Sequence, residues 1–232
     1  HWKARLMRDR GRDPTALREW GSPAIEQWTA AEADLRYIFR SDHGLSPGLF
    51  LDQRANRRWI REQARDKRVL NLFSYTGGFS LNAALGNASE VVSVDTSRPT
   101  LDWSEANFKL NALATNHCEF WQADARYFLR GCKNRDRTFD LVICDPPSFS
   151  RSREGAFKIE RDLSEVLQAI DQILAPQGQV FIAANFEKWS GAKLTRIAQT
   201  MLPDYTPVDL PPLDPDFAAD EPRMNAAALT KP

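Results

Sequence analysis

The chain is 232 residues long, 42% hydrophobic and 27% charged, with 31 basic and 31 acidic side chains and a formal net charge of zero. That length suits one large α/β domain with a small addition, and no run approaches the roughly eighteen apolar residues of a membrane span. The N-terminus lacks a signal-peptide pattern and the three cysteines (Cys118, Cys132, Cys144) lack metal-ligand or Cys-x-x-Cys spacing, so a soluble cytoplasmic protein with reduced thiols and no metal is expected.

Zero net charge removes the simplest argument for a nucleic-acid partner, but the distribution is uneven. The segment from His1 to Arg68 is arginine-rich, with Arg5, Arg8, Arg10 and Arg12 close together and Arg54, Arg57, Arg58, Arg61, Arg65, Lys67 and Arg68 farther on. Between Leu202 and Pro222 there are six acids and no lysine or arginine. A basic face near a ligand crevice would suit a polyanionic substrate; the plainer reading is solvated surface.

In chain order, Ala24 to Trp28 and Leu35 to Phe39 pair as strands around Thr29 to Asp34. They form a small antiparallel β extension over residues 1–46 ahead of a main domain at 47–232. After Pro47-Gly48, a helix runs from about Leu49 through Arg57, Arg58 and Ile60. Strands are expected at Val69 to Phe73, Glu90 to Asp95, Glu119 to Gln122, Leu141 to Asp145, Val180 to Asn185, weakly near Val208, and at Ala226 to Thr230. A helix from about Arg98 to Leu113 carries Leu101, Phe108 and Ala112 on one side. Another places Ile159, Leu163, Val166, Leu167, Ile170, Ile173 and Leu174 at spacings of three and four, stopped by Pro176 and Gly178. The alternation implies a Rossmann-like α/β fold, a mostly parallel seven-stranded sheet covered on both faces.

Three motifs carry chemistry. Leu70 to Ser80, LNLFSYTGGFS, joins an apolar strand to a helix through Gly77 and Gly78, which can take positive φ and let backbone approach a ligand. Val91 to Asp95 ends a second strand in an acid, about where a dinucleotide fold places the carboxylate that holds ribose hydroxyls. Leu141 to Phe149 runs a strand into Asp145-Pro146-Pro147. Ligands gather outside the carboxyl ends of such strands, so Tyr75, Thr76, Gly77, Asp95, Asp124 and Asp145 should converge on one crevice. A nicotinamide or flavin enzyme would want Gly-x-Gly-x-x-Gly, lacks its third glycine here, and leaves Asp-Pro-Pro unexplained. A methyltransferase using S-adenosylmethionine fits better.

The succession Gly48 to Arg54 (GLFLDQR), Asn71 to Gly78 (NLFSYTGG), Ser93 to Ser97 (SVDTS) and Asp145 to Ser150 (DPPSFS) resembles a bacterial family of 23S ribosomal RNA methyltransferases over nearly the whole chain. It is closest to the guanine-N7 methyltransferase that forms the C-terminal half of a bifunctional large-subunit enzyme. A second branch methylates cytosine at carbon 5, which needs a cysteine thiolate to activate the ring; guanine N7 has its own lone pair and needs none. The cytosine branch is expected to carry that cysteine after the fifth strand, where this chain reads Ala183 to Trp189 without one. Cys144 lies beside Asp145 but on an apolar strand, where an inert thiol is expected.

The resemblance implies a division of roles. Asn71, Phe73, Ser74, Tyr75, Thr76 and Gly77 would surround the methionine part of the cofactor, Asp95 and Thr96 the ribose, and Asp124 with Ala125 the adenine edge. Phe50, Gln53 and Arg54 would close from the N-terminal side, Arg54 on the carboxylate; its alternative, shared by Arg58, is an ion pair with Asp52 or Glu62. Asp145, Pro146 and Pro147 would shape the target-base pocket with Asn185, and Phe149 or Phe186 would stack, unless these rings belong to the core. Arg151, Arg153, Lys158 and Arg161 would meet phosphates. Transfer would be a direct in-line displacement, with catalysis mainly from alignment. The implied partner is 23S ribosomal RNA before full ribosome assembly, with an upstream RNA-binding or second methyltransferase domain preceding His1. Gln53 stands where the guanine branch is expected to have His, and Gly77-Gly78 where it is expected to have Gly-Ser, which keeps the cytosine branch open. A binding module that kept the fold and lost the activity is a third reading.

Overall fold

The computed structural model describes residues 25–41, 46–152, 155–186, 189–217 and 225–232. It divides into two compact units, His1–Phe50 and Leu51–Pro232. The arginines at positions 5, 8, 10 and 12, Arg153, and the acids Asp220 and Glu221 fall outside the described residues.

The first unit is built on an antiparallel hairpin, β1 (Gln27–Glu32) and β2 (Leu35–Arg40). Leu35, Tyr37 and Phe39 alternate as the buried face of β2, and Trp28 stacks on its register partner Phe39 at 5.5 Å. The sequence suggested a six-residue connection. The structure instead pairs Glu32 with Leu35 and turns on Ala33 and Asp34 alone, with Ala33 at φ 51°. A two-residue turn of this kind usually announces itself with Asn or Gly, and neither is present.

The second unit begins with a single turn of 3-10 helix at Leu51–Gln53, followed by α1 (Arg54–Gln63), β3 (Arg68–Leu72) and α2 (Gly78–Leu85). Next come β4 (Glu90–Asp95), α3 (Arg98–Leu110), β5 (Cys118–Gln122), α4 (Ala125–Lys133) and β6 (Phe139–Cys144). A hairpin of β7 (Phe149–Ser152) and β8 (Gly155–Lys158) leads into α5 (Ile159–Asp171). The chain closes with β9 (Leu174–Ala184), α6 (Gly191–Met201), β10 (Thr206–Val208) and β11 (Asn225–Thr230).

The main sheet has seven strands in the order β10-β11-β9-β6-β3-β4-β5. The five from β9 to β5 are parallel, and β11 and β10 are antiparallel additions. Strand periodicity divides the core. Leu70, Leu72, Val92, Val94, Val142 and Val180 face a layer that includes Phe128, Leu163, Leu167 and Leu194 from α4, α5 and α6. Val69, Val91, Leu141 and Phe181 face Trp59, Ile60, Phe79 and Ala83 from α1 and α2. Burial on both faces explains why these strands read as continuous apolar runs in the sequence.

Several boundaries differ from expectation, and the helix expected from about Leu49 begins at Arg54 after the 3-10 turn. Helix α5 ends at Asp171, and Pro176 and Gly178 lie inside β9 rather than at the helix stop. There Phe139 pairs with Leu174 while Leu141 pairs with Gln179, so the intervening residues bulge out of the ladder, with Gln177 at φ 60°. A bulge tolerates the missing proline N–H. Helix α3 stops at Leu110, and Ala112 takes φ 50°. The β7–β8 hairpin was not foreseen.

The sequential path runs from β3 outward through β4 to β5, then returns to place β6 on the other side of β3. That reversal opens a crevice at the carboxyl ends of β3, β4 and β6, where open α/β sheets take their ligands.

Candidate active site

The loop after β3 has a tightly constrained backbone. Phe73, Tyr75 and Gly77 take φ values of 57°, 49° and 81°, three left-handed residues within five. Such conformations persist only where the surroundings over-determine them. Here Ser74 N–H donates to the Val94 carbonyl at 3.0 Å, Gly77 N–H to the Ser74 carbonyl at 3.0 Å, and Tyr75 N–H to Asp95 Oδ2 at 3.0 Å. From α3, Asn107 Nδ2 donates to the Thr76 carbonyl at 3.0 Å, and Trp103 lies 6.2 Å from the Tyr75 ring. Gly77 caps α2, and a Cβ at its position would stand 2.0 Å from Ser104 Oγ. Only glycine suits both the angle and the space.

Asn71 lies beneath this loop rather than on its surface. Its Nδ2 donates to Ser80 Oγ at 2.9 Å, and Ser80 Oγ is 2.7 Å from Ser93 Oγ, a buried polar chain that ties β3 to α2 and β4. Four buried side-chain atoms in this part of the unit have no hydrogen-bond partner: Gln53 Nε2, Asn71 Oδ1, Ser74 Oγ and Ser104 Oγ. Unsatisfied buried groups are costly, and two of these, Asn71 Oδ1 and Ser74 Oγ, belong to the end of β3 and the loop after it, where a polar ligand would complete them.

Asp95 ends β4 with its carboxylate held in place, Oδ2 by Tyr75 and Oδ1 by Ser97 N–H at 2.9 Å. Burial raises its pKa, while backbone donors from Ser97, Tyr75 and Thr96 oppose the rise. Thr96 is exposed, and its carbonyl accepts from Gln122 Nε2 at 3.2 Å. Asp124 caps α4, accepting from Arg126 N–H at 2.9 Å and pairing with the Arg126 guanidinium at 3.1 Å. Ala125 is buried in the core.

Asp145 follows directly on β6. It keeps some solvent access, and among the described residues its carboxylate has no hydrogen-bond partner. Burial pushes its pKa up to about 7, Asp52 pushes the same way, and Arg57 opposes both. Arg57 is itself buried, on α1. Pro146 is buried and Pro147 exposed. Ser148 Oγ donates to the Asn185 carbonyl at 2.5 Å, which ties the segment after Asp145 to the end of β9. The next residue, Phe149, is 50% exposed and opens the β7–β8 hairpin. Phe157 on β8 packs 5.4 Å from Phe73, so this hairpin leans on the loop after β3.

The crevice thus brings together Asn71, Phe73, Ser74, Tyr75, Thr76, Gly77, Asp95 and Thr96 with Asp145, Pro146, Pro147, Phe149 and Asn185. Gln53 is buried beside α1, its Oε1 accepting from Asn56 Nδ2 at 2.6 Å. Phe50 belongs to the first unit. Phe186 packs edge-on to Trp189 at 5.1 Å and serves the core. Arg161 pairs with Asp162 and donates to the Ala156 carbonyl at 2.7 Å; Lys158 is exposed, and the Arg151 side chain falls outside the described ones.

Arg54 and Arg58 both reach acids from the far end of the chain. Arg54 pairs with Asp216 at 2.8 Å and with Asp214 at 3.5 Å, and lies 5.7 Å from the Phe217 ring; Arg58 pairs with Asp214 at 2.5 Å. These partners lie more than 150 residues away in sequence. Sequence reasoning also passed over Asn107 and Ser104. A polar pair inside the apolar side of a helix was the available signal.

Residues 3–227 match the family model described as S-adenosylmethionine-dependent methyltransferase. A protein of Shewanella sp. (strain W3-18-1) named ribosomal RNA large subunit methyltransferase K/L is 43% identical over 147 residues, covering 62% of this chain and 20% of that protein. Its namesake from Shewanella amazonensis is 38% identical over 173 residues, 69% of this chain and 24% of that protein. The chain therefore spans about a quarter or less of these relatives. Among solved structures, SMU.776, described as a methyltransferase complexed with SAH, aligns with a TM-score of 0.84 at 28% identity, over 91% of this chain and 58% of its own. A SAM-dependent methyltransferase from Streptococcus mutans aligns at 0.82 and 29%, over 91% and 57%.

Proposed function

Because the chain belongs to the family of S-adenosylmethionine-dependent methyltransferases, we propose that it methylates 23S ribosomal RNA at guanine N7. The RNA substrate is argued from the relatives named ribosomal RNA large subunit methyltransferase K/L, and the nitrogen target from the cysteines.

Cysteine placement is the observation that carries the nitrogen reading. Cys144, the one thiol next to Asp145, is fully buried on β6, and burial pushes its pKa far above the usual thiol range. Cys118 lies at the start of β5, the end of the sheet away from the crevice, with a thiol pushed up to about 11. Cys132 lies in the last turn of α4, also raised by burial. A thiol as enclosed and as firmly protonated as that of Cys144 cannot add to a pyrimidine ring, and Cys118 and Cys132 lie away from Asp145 in the fold.

The crevice suits the cofactor. Ser74 Oγ, Asn71 Oδ1 and Gln53 Nε2 are buried donors and acceptors awaiting partners, and the Gly77 turn leaves backbone free of a Cβ. Asp95, already oriented by two backbone N–H groups, holds acceptor capacity for a ribose diol. Asp124 and Ala125 at the start of α4 would meet the adenine edge. Arg54 would take the carboxylate once released from Asp214 and Asp216. When bound, S-adenosylmethionine supplies an electrophilic methyl group.

The chain's remaining task is to position the base. Guanine N7 carries its own lone pair, so no general base is needed and alignment alone can lower the barrier by roughly 7 to 11 kcal/mol. Phe149 offers a face for the base to stack on, and Ser148 fixes that face relative to Asn185. With its pKa near neutrality, Asp145 can present either an acceptor to the guanine N1–H and N2–H edge or a donor to O6. A paired guanine would have to be flipped out, at a cost of a few kcal/mol.

The test is methyl incorporation from labelled S-adenosylmethionine into protein-free 23S ribosomal RNA by the wild-type chain and by Cys144→Ala. Retained turnover in the variant is expected. Loss of turnover with an intact fold and unchanged cofactor affinity would overturn the nitrogen assignment.

A further inference from the structure

Helix α4 carries a basic, aromatic outer face that the crevice does not use. Its inner side, Ala125, Phe128, Leu129 and Cys132, is buried in the core. From Ala125 to Arg137 the chain has five cations, Arg126, Arg130, Lys133, Arg135 and Arg137, and one acid, Asp136. Two of the five pair with carboxylates, and Arg135 donates to the Gly131 carbonyl at 2.9 Å. Arg126 pairs with Asp124 and feels Glu165 and Asp162 of α5, and Arg137 bridges Glu90 and Glu119. The other three, Arg130, Lys133 and Arg135, are exposed and have no carboxylate partner among the described residues.

Tyr127 is the second feature of this face. It is 59% exposed, and the Arg130 guanidinium lies over its ring at 5.9 Å. An exposed ring beside cations that no carboxylate neutralises combines a stacking face with charges for a polyanionic backbone, the two parts of a single-stranded nucleic-acid contact. An acidic protein would satisfy the charges but leaves the stacking face unexplained. From Tyr127 to Lys133 the helix rises about 9 Å, a length over which a nucleic-acid strand presents more than one phosphate. The helix starts at the carboxyl end of β5, next to β4 in the sheet, so this face begins at the rim of the crevice.

We propose that the outer face of α4 is a second RNA-anchoring surface, Tyr127 stacking on an unpaired base and Arg130, Lys133 and Arg135 holding the flanking phosphates. It rests on the RNA reading above and places the anchor away from the β7–β8 hairpin. Arg130, Lys133 and Tyr127 touch neither the cofactor loop nor Asp145, so they position RNA without joining the transfer step.

The experiment compares the wild-type chain with Arg130→Glu/Lys133→Glu and with Tyr127→Ala and Tyr127→Phe. It measures binding to protein-free 23S ribosomal RNA across a salt series, with S-adenosylhomocysteine affinity and thermal unfolding as controls. Removing two phosphate contacts should flatten the slope of log affinity against log salt by about 1.4, from about 0.7 per phosphate on single strands. Tyr127→Ala should weaken binding roughly tenfold and Tyr127→Phe should restore it. KM for RNA should rise while kcat and cofactor affinity stay unchanged. An unchanged slope with affinities within about twofold of a binding-competent wild type would overturn the proposal, as would loss confined to a polyglutamate probe, which would make the face a protein contact. A wild-type chain that neither binds nor methylates the RNA would overturn the substrate reading itself.

Discussion

Replacing Gly77 by alanine tests the loop proposed to hold the cofactor at its tightest point. Alanine at φ 81° costs roughly 1–2 kcal/mol for the left-handed conformation alone. Its Cβ would also stand 2.0 Å from Ser104 Oγ, 3.1 Å from Ser104 Cβ and 3.2 Å from Leu81 Cδ1, an overpacking worth a further 1–3 kcal/mol. Ser104 Oγ is buried and without a hydrogen-bond partner, so Ser104→Ala alone should change stability by less than about 1 kcal/mol. In the Gly77→Ala background, the same change removes the nearest clashing atom and should return most of the overpacking cost. Chemical denaturation gives the stabilities, and calorimetric titration with S-adenosylhomocysteine gives the affinities. The single variant should lose at least tenfold in affinity, a factor set by about 1.4 kcal/mol, and the double variant should recover a large part of it. Equal losses in the two backgrounds would refute the contact as the cause.

Asp145 should leave a signature in the pH dependence of stability. Its folded pKa of about 7 lies above the roughly 3.9 of an unfolded aspartate, so between those values the native state holds a proton that the unfolded state has released. Stability should fall as pH rises from about 4 to 7 and level off above, and Asp145→Asn should remove that slope and be relatively more stable at pH 8 than at pH 4; parallel profiles would contradict the burial of the carboxylate. Neutralising Asp214 and Asp216 together as asparagines should release Arg54 from these two acids and tighten S-adenosylhomocysteine binding, with little change in unfolding midpoint because Asp216 and the Arg58 side chain are largely exposed. Weaker binding in that variant would show that the acidic segment supports the site rather than competing for its arginine.

Much of the fold was legible because parallel strands buried on both faces leave unbroken apolar runs, and Val91–Asp95 and Leu141–Asp145 each end in the acid that marks the crevice. The glycine turn was equally plain, since an angle of 81° leaves a trace in residue type. The β7–β8 hairpin was not, because four-residue strands carry too little alternation and this hairpin is braced by Phe157 against Phe73, a contact across 84 positions of sequence. Arg54 shows the same limit. Its candidate partners in sequence were Asp52 and Glu62, and the fold supplied Asp214 and Asp216 from the far end of the chain. Pro176 and Gly178 signalled an interruption and received the wrong one. Locally they fit a helix stop, and only the ladder between β6 and β9 turns them into a bulge.

Nucleoside analysis of the methylated product tests the central claim most directly. After transfer from labelled S-adenosylmethionine to protein-free 23S ribosomal RNA, the RNA is digested and the labelled nucleoside identified. The enclosed thiol of Cys144 and the crevice of Asp145, Phe149 and Asn185 predict 7-methylguanosine. Labelled 5-methylcytidine would contradict the account, because it would require a nucleophilic thiol at a site where the fold exposes none.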